Sequence, residues 1–185
     1  MLIIGITGTI GSGKGTIVDY LKDHHSFEHH SVRSYLTEII RQRNLPLNRD
    51  SMVAVANELR AQNSPSFIIE ELYRKAAASQ KNCIIESIRT PGEIDALAGF
   101  EGFYLFAVDA KPEIRYERIV ERNTATDKID FETFLANEKR EMTSTDPNKQ
   151  NLAACIERAD FKFENDGSFE DLFTKVGDVL NQILK

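Results

Sequence analysis

The chain has 185 residues, enough for one domain with a sizeable core, and its 41% hydrophobic and 28% charged content is that of an ordinary globular protein. A net charge of −6 and a pI near 5.3 argue against nucleic acid or a membrane surface as partner. No apolar run approaches the ~20 residues that cross a bilayer, and Met1 sits directly on the first apolar run without a cationic leader, so a cytoplasmic protein is expected.

The first apolar run, residues 2–6, reads as a buried strand. It leads into Thr7-Gly8-Thr9-Ile10-Gly11-Ser12-Gly13-Lys14-Gly15-Thr16, followed by a helix-like stretch from Thr16 to Leu21. Strand, glycine turn and helix in that order form a phosphate-binding loop. Glycines at 8, 11 and 13 let backbone N–H groups turn toward a polyphosphate, and Lys14 supplies a point charge near its β- and γ-phosphates. The helix that follows aims its positive end at the same place.

Further strand-like runs lie at 27–30 (weaker), 83–85, 103–108 and 161–163, with helical patterns between them. That alternation predicts an α/β fold with a five-stranded parallel sheet. Three helices, about 32–43, 49–62 and 65–78, follow one another without a strand, too long a stretch for a simple crossover. Helix starts are marked by Ser64-Pro65, by Thr90-Pro91-Gly92-Glu93 with capping-box spacing, by Asp146-Pro147, and by Ser168 with Asp171. Cys83 and Cys155 sit in apolar contexts and are expected as buried free thiols. The histidines His24, His25, His29 and His30 match no regular metal-ligand geometry. Repeats and linkers are missing, so a single domain over 1–185 is expected.

Phosphoryl transfer needs alignment and positive charge on the migrating group. Glu86 ends the third strand, at the edge where ligands bind in open α/β sheets. Arg89 follows three residues later, and Arg33 opens the helix after the second strand, next to His30. Arg118 and Arg122, spaced by four on a helix, share one face, with Glu117 and Glu121 as alternative ion-pair partners. Lys139 and Arg140 lie on the amphipathic run 131–142, and Asn165-Asp166-Gly167-Ser168 follows the fifth strand.

The GxxGxGKGT form of the loop resembles that of adenylate kinase and other nucleoside monophosphate kinases, and with the Arg-x-x-x-Arg spacing most of the chain resembles this branch of P-loop nucleotide kinases. It also resembles archaeal-type adenylate-kinase-related proteins around Glu86–Arg89 and in the tail after Ala159. The resemblance implies a P-loop NTPase fold, a three-layer α/β/α sandwich with a helical acceptor-binding insertion at about 31–80 and a short lid at about 123–145. It implies ATP bound by Gly8, Gly11, Ser12, Gly13, Lys14, Gly15 and Thr16, with Mg²⁺ served by Thr16 and, through water, by Glu86. Arg33, Arg89 and His30 then meet the acceptor, Arg118 covers the base and Arg122 approaches the phosphates. Catalysis falls to Lys14, Arg89, Arg118 and Arg122. The partners implied are small nucleotide substrates, and the protein a monomer or homodimer.

Three positions depart from that pattern. Gly15 replaces the hydroxyl residue usual after the lysine, Glu86 stands where aspartate is usual, and His30 replaces an acidic residue before Arg33. Dephospho-coenzyme A kinase shares the loop up to Lys14 and a similar tail, and is the alternative acceptor reading. A GTP switch fits less well, because Asn148-Lys149-Gln150-Asn151 lacks the aspartate of the guanine-binding motif. A regulator that binds nucleotide without turnover is the third reading.

Overall fold

The computed structural model describes residues 1–124 and 128–184. Five strands, β1 (Ile3–Gly8), β2 (Glu28–Ser31), β3 (Cys83–Glu86), β4 (Phe103–Asp109) and β5 (Phe161–Glu164), form one sheet in the order β2-β3-β1-β4-β5. Every pairing is parallel. β1 lies between β3 and β4, covered on both faces, which is why its sequence is a continuous apolar run rather than an alternation. All five expected strands are present.

The pleat divides the core in two. Ile3, Ile85 and Leu105 face α2 (Val32–Gln42), α3 (Arg49–Gln62), α4 (Phe67–Ser79), α5 (Pro91–Ala98) and α8 (Leu152–Glu157). Ile4, Ile6, Ile84, Phe106 and Phe163 face α1 (Lys14–His25) and α9 (Phe169–Ile183). The result is a three-layer α/β/α sandwich, with α2 to α4 inserted between β2 and β3. Two helices complete the chain, α6 (Pro112–Arg122) and α7 (Phe131–Met142). They meet through rings, Tyr116 against Phe131 edge-on at 5.1 Å and Phe134 at 5.7 Å, and through the Arg115–Glu138 ion pair.

Local capping explains most helix starts, and two of them fall elsewhere than expected. Thr90 and Glu93 form a full capping box at α5, as do Ser168 and Asp171 at α9. Ser64-Pro65 instead forms a turn in which the Ser64 carbonyl accepts from Phe67 N at 3.1 Å, so α4 starts two residues later. Asp146-Pro147 opens no helix. The Asp146 carboxylate accepts from Asn148 N at 3.0 Å, an Asx turn, and α8 begins only where Asn151 caps Ala154 N.

Cys83 and Cys155 are free and buried, and burial pushes their thiols up to about 11 and about 12. No helix among the described residues is long and apolar enough to cross a membrane. The Ser168 cap predicts that Ser168→Ala lowers stability by about 1 kcal/mol while Ser168→Asp costs little. A urea titration, with the midpoint moving and the slope constant, measures it.

Candidate functional site

The loop after β1 closes onto the start of α1 through backbone that only glycine accommodates. Gly13 flanks the helix at φ 106°, and a Cβ there would stand 2.2 Å from Asn165 Nδ2; one on Gly11 would stand 2.4 Å from the Arg115 carbonyl. The turn is fastened from several sides. Ser12 Oγ donates to the Thr9 carbonyl at 2.9 Å, Asn165 Nδ2 to the Ser12 carbonyl at 2.8 Å, and Thr9 Oγ1 to Asp109 Oδ1 at 2.5 Å. Helix α1 has no side-chain cap and no acidic residue in its first turn. Its first amides and the positive end of its dipole are therefore left for an anion.

Lys14 folds back over this turn, its Nζ donating to the carbonyls of Gly8 at 2.9 Å and Thr9 at 2.6 Å. Burial of the ammonium, reinforced by the nearby charge of Arg89, brings its pKa down to about 7; Glu86 acts in the opposite sense. Glu86 ends β3 with its Oε2 3.1 Å from His29 Nε2. Burial would raise that carboxyl, but the His29 hydrogen bond and the charges of Lys14, His29 and Arg89 hold it below the ordinary range.

A groove of about 590 Å³ runs over the loop, bordered by Lys14, Thr16, Glu86, Arg118 and Arg122. Gly11, Ser12, Gly13 and Gly15 also line it, whereas Gly8, the end of β1, does not border it and meets the site through its carbonyl, which accepts from Lys14 Nζ. Arg118 Nη2 donates to the Asn165 carbonyl at 2.8 Å, while its Nη1 is buried without a hydrogen-bond partner. Asp19, Glu86 and Glu121 are the carboxylates bordering the groove, and no group of three or more His, Cys, Asp or Glu side chains among the described residues could hold a metal ion. Glu86 and Thr16, the two residues expected to serve Mg²⁺, both border the groove and would be the groups to hold it together with phosphate oxygens and water.

Beside the groove lies a second cavity of about 120 Å³, and Arg33 borders both. Here the structure brings Arg33 and Arg89, both expected at the acceptor site, together with Arg49 and Arg60, which the sequence reading missed. Arg49 grips Glu141 Oε1 through Nε at 3.0 Å and Nη2 at 2.6 Å, and Arg89 Nη1 lies 3.5 Å from the other oxygen of Glu141. Burial lowers the Arg89 pKa, with Arg49 acting the same way and Glu141 opposing. Arg60, 2% exposed, is held by Glu93 Oε1. Arg49, Met52, Val53, Ala56 and Arg60 all border the cavity and recur every three or four residues along α3. That period was available in the sequence.

Other expected residues lie elsewhere. His30 borders neither cavity, and it is its neighbour His29 that meets Glu86. Burial lowers the His30 pKa, and its Nε2 is buried without a hydrogen-bond partner. Lys139 and Arg140 are exposed on α7, Arg140 3.3 Å from Asp50. Of the expected lid, residues 125–127 lie outside the described residues, and most of the rest is α7. Arg115, also missed, is buried, donates to the Ile10 carbonyl in the loop, and pairs with Glu138.

Residues 4–146 match the family described as AAA domain, and the chain belongs to that family. It is 26% identical to a UPF0200 protein of Methanocaldococcus jannaschii, over all of this chain and 91% of the relative, and 26% identical to one of Pyrobaculum aerophilum, over 98% of each. Three solved structures share the fold. One is a Thermus thermophilus protein (TM-score 0.63, 19% identity, 100% and 98% of the two chains). The others are a gluconokinase from Sinorhizobium meliloti (0.60, 15%, 98% and 93%) and a dephospho-CoA kinase from Campylobacter jejuni (0.53, 14%, 98% and 96%). The fold is that of P-loop kinases.

The lowered Lys14 pKa makes a signed prediction. A polyphosphate favours the ammonium, so ADP binding at pH 8 takes up close to one proton, and affinity falls by up to about tenfold per pH unit above 7. Calorimetry in buffers of different ionisation heat measures the uptake, which Lys14→Met should abolish.

Proposed function

We propose that this AAA-domain protein is an ATP-dependent phosphotransferase that moves the γ-phosphoryl group of ATP to a small phosphate-bearing acceptor, in the first place a ribo- or deoxyribonucleoside monophosphate. The observation that carries this reading is Arg33, which borders both the groove over the glycine loop and the arginine-lined cavity beside it. Two anion sites sharing one arginine are what a donor and an acceptor phosphate in line require.

In this reading the amides at the start of α1 and Lys14 hold the β- and γ-phosphates. Arg118 and Arg122 neutralise the donor from the α6 side. Arg33, Arg49 and Arg89 hold the acceptor's phosphate, one oxygen of which attacks the γ-phosphorus as the bond to the ADP oxygen breaks. Magnesium, when bound with ATP, supplies further neutralisation of the phosphate oxygens, and Glu86 through water and Thr16 are the groups of this chain that would hold it. The protein performs little covalent work; it aligns two anions and excludes water.

The test is an ADP-release screen over the common ribo- and deoxyribonucleoside monophosphates and dephospho-coenzyme A, with ATP and GTP as donors. Acceptor-dependent turnover with a monophosphate is expected, and Lys14→Ala should lower it by on the order of 10²–10³ with the fold intact by circular dichroism. Turnover of dephospho-coenzyme A alone would move the reading to that acceptor. Nucleotide binding without any acceptor-dependent turnover would overturn it in favour of a regulator.

A further inference from the structure

Arg60 is held in a way that leaves one of its nitrogens unused. Its Nε and Nη2 both donate to Glu93 Oε1, at 3.1 and 2.7 Å, which fixes the plane of the guanidinium. The remaining nitrogen, Nη1, is sealed from solvent and has no hydrogen-bond partner. Six buried side-chain atoms among the described residues share that condition, and three of them, Arg60 Nη1, Arg89 Nη1 and Gln150 Oε1, belong to residues bordering the cavity beside the groove. Buried polar groups ordinarily find partners. Arg89 Nη1 has Glu141 Oε2 at ion-pair distance, 3.5 Å, so Arg60 Nη1 and Gln150 Oε1 are the two without a partner, and they mark a place where a ligand with complementary polar atoms supplies them.

Charge separates their roles. Arg49 and Arg89 share a single carboxylate, Glu141, so this part of the cavity carries a net positive charge (two arginines against one glutamate) and suits an anion. Arg60 and Glu93 form a buried neutral pair, 1% and 0% exposed at their side chains. A neutral pair with a spare NH2 group suits an uncharged acceptor: a carbonyl oxygen or a ring nitrogen. The Gln150 amide nearby, in either orientation, offers a complementary donor or acceptor. Met52 on the same wall is the adaptable side chain that can turn to admit such a group.

We propose that Arg60, held by Glu93, determines acceptor specificity by donating its free Nη1 to a carbonyl or ring nitrogen of the acceptor's nucleobase, while the other arginines of the cavity hold its phosphate. This rests on reading the cavity as the acceptor site. It adds that the chain recognises the base and not the sugar phosphate alone.

The experiment is binding calorimetry without ATP, using AMP, GMP, CMP, UMP and ribose 5-phosphate as probes. On the unmodified protein at least one monophosphate should bind about tenfold or more tightly than ribose 5-phosphate. Arg60→Lys keeps a charge beside Glu93 but removes the fork. It should lower that monophosphate's affinity by about 10- to 100-fold, leaving ribose 5-phosphate and ADP within about twofold. If Arg60→Lys is not folded by its thermal melt, the Arg60→Met/Glu93→Gln double variant, which removes both buried charges together, serves in its place. The inference is overturned if no base improves on ribose 5-phosphate, or if the advantage survives the loss of the fork. ADP binding and acceptor-dependent ADP release are scored separately. Their absence would remove the phosphotransferase reading without deciding this comparison.

Discussion

A crowd of cations at the C-terminal edge of the sheet governs the rest of this structure. Lys14, Arg33, Arg49 and Arg89 border two adjoining cavities, and Glu86 and Glu141 are the buried or half-buried carboxylates placed among them. Arg89 lowers the Lys14 pKa, and Arg49 acts in the same direction on both. Like charges held this close, partly out of water, are unfavourable for the free protein, because Coulomb repulsion strengthens as the surroundings lose water. A chain with net charge −6 has carboxylates to spare, yet places few of them here. An anion bound at this edge would relieve that repulsion.

Helix α7 is how the protein keeps that imbalance in place. Glu138 and Glu141 are three residues apart and so share one side of the helix. Glu138 grips Arg115, which reaches the Ile10 carbonyl of the loop and lies 5.4 Å from the Phe134 ring. Glu141 grips Arg49 and faces Arg89 in the cavity. One helical turn therefore ties the back of the phosphate-binding loop to the arginines of the neighbouring cavity. The shape of one site and the charge balance of the other depend on the same short segment. Arg49 of α3 is joined to it across 92 residues of sequence, so the α2 to α4 insertion is anchored by charge as well as by its apolar face.

What could be read from the sequence was whatever is local. The strand, glycine turn and helix from Ile3 to His25 obey short-range rules, as do the five-strand alternation, the Thr90 and Ser168 caps, and the shared face of Arg118 and Arg122. Arg60 was within reach, since it continues the apolar period of α3, but a charged residue on an apolar face tends to be passed over. Glu93 shows where such reading stops. Its capping role was legible, with Oε2 accepting from Arg89 N at 2.7 Å and Thr90 N at 3.1 Å. Its second role, Oε1 on Arg60, joins residues 33 apart and has no signature in spacing. Glu141, Glu138 and His29 were missed for the same reason. The Ser64 and Asp146 starts were misplaced because a short polar side chain before proline makes a turn as readily as a cap.

Gly15 stands apart from the other glycines of the loop. A Cβ at this position meets nothing within 4 Å, so neither crowding nor backbone strain calls for glycine, unlike Gly11 and Gly13. A hydroxyl residue would fit, and its absence is therefore a matter of chemistry rather than packing. The hydroxyl and carboxyl groups that border the groove come instead from Ser12, Thr16, Asp19, Glu86 and Glu121. Of these carboxyls Glu86 is the one set among cations: the His29 hydrogen bond to Oε2 and the charges of Lys14, His29 and Arg89 hold it below the ordinary range against its burial, while Ser87 Oγ lies 3.4 Å from Oε1. The edge strand β2 thus acts on the groove through His29, one residue away from the histidine that the spacing singled out.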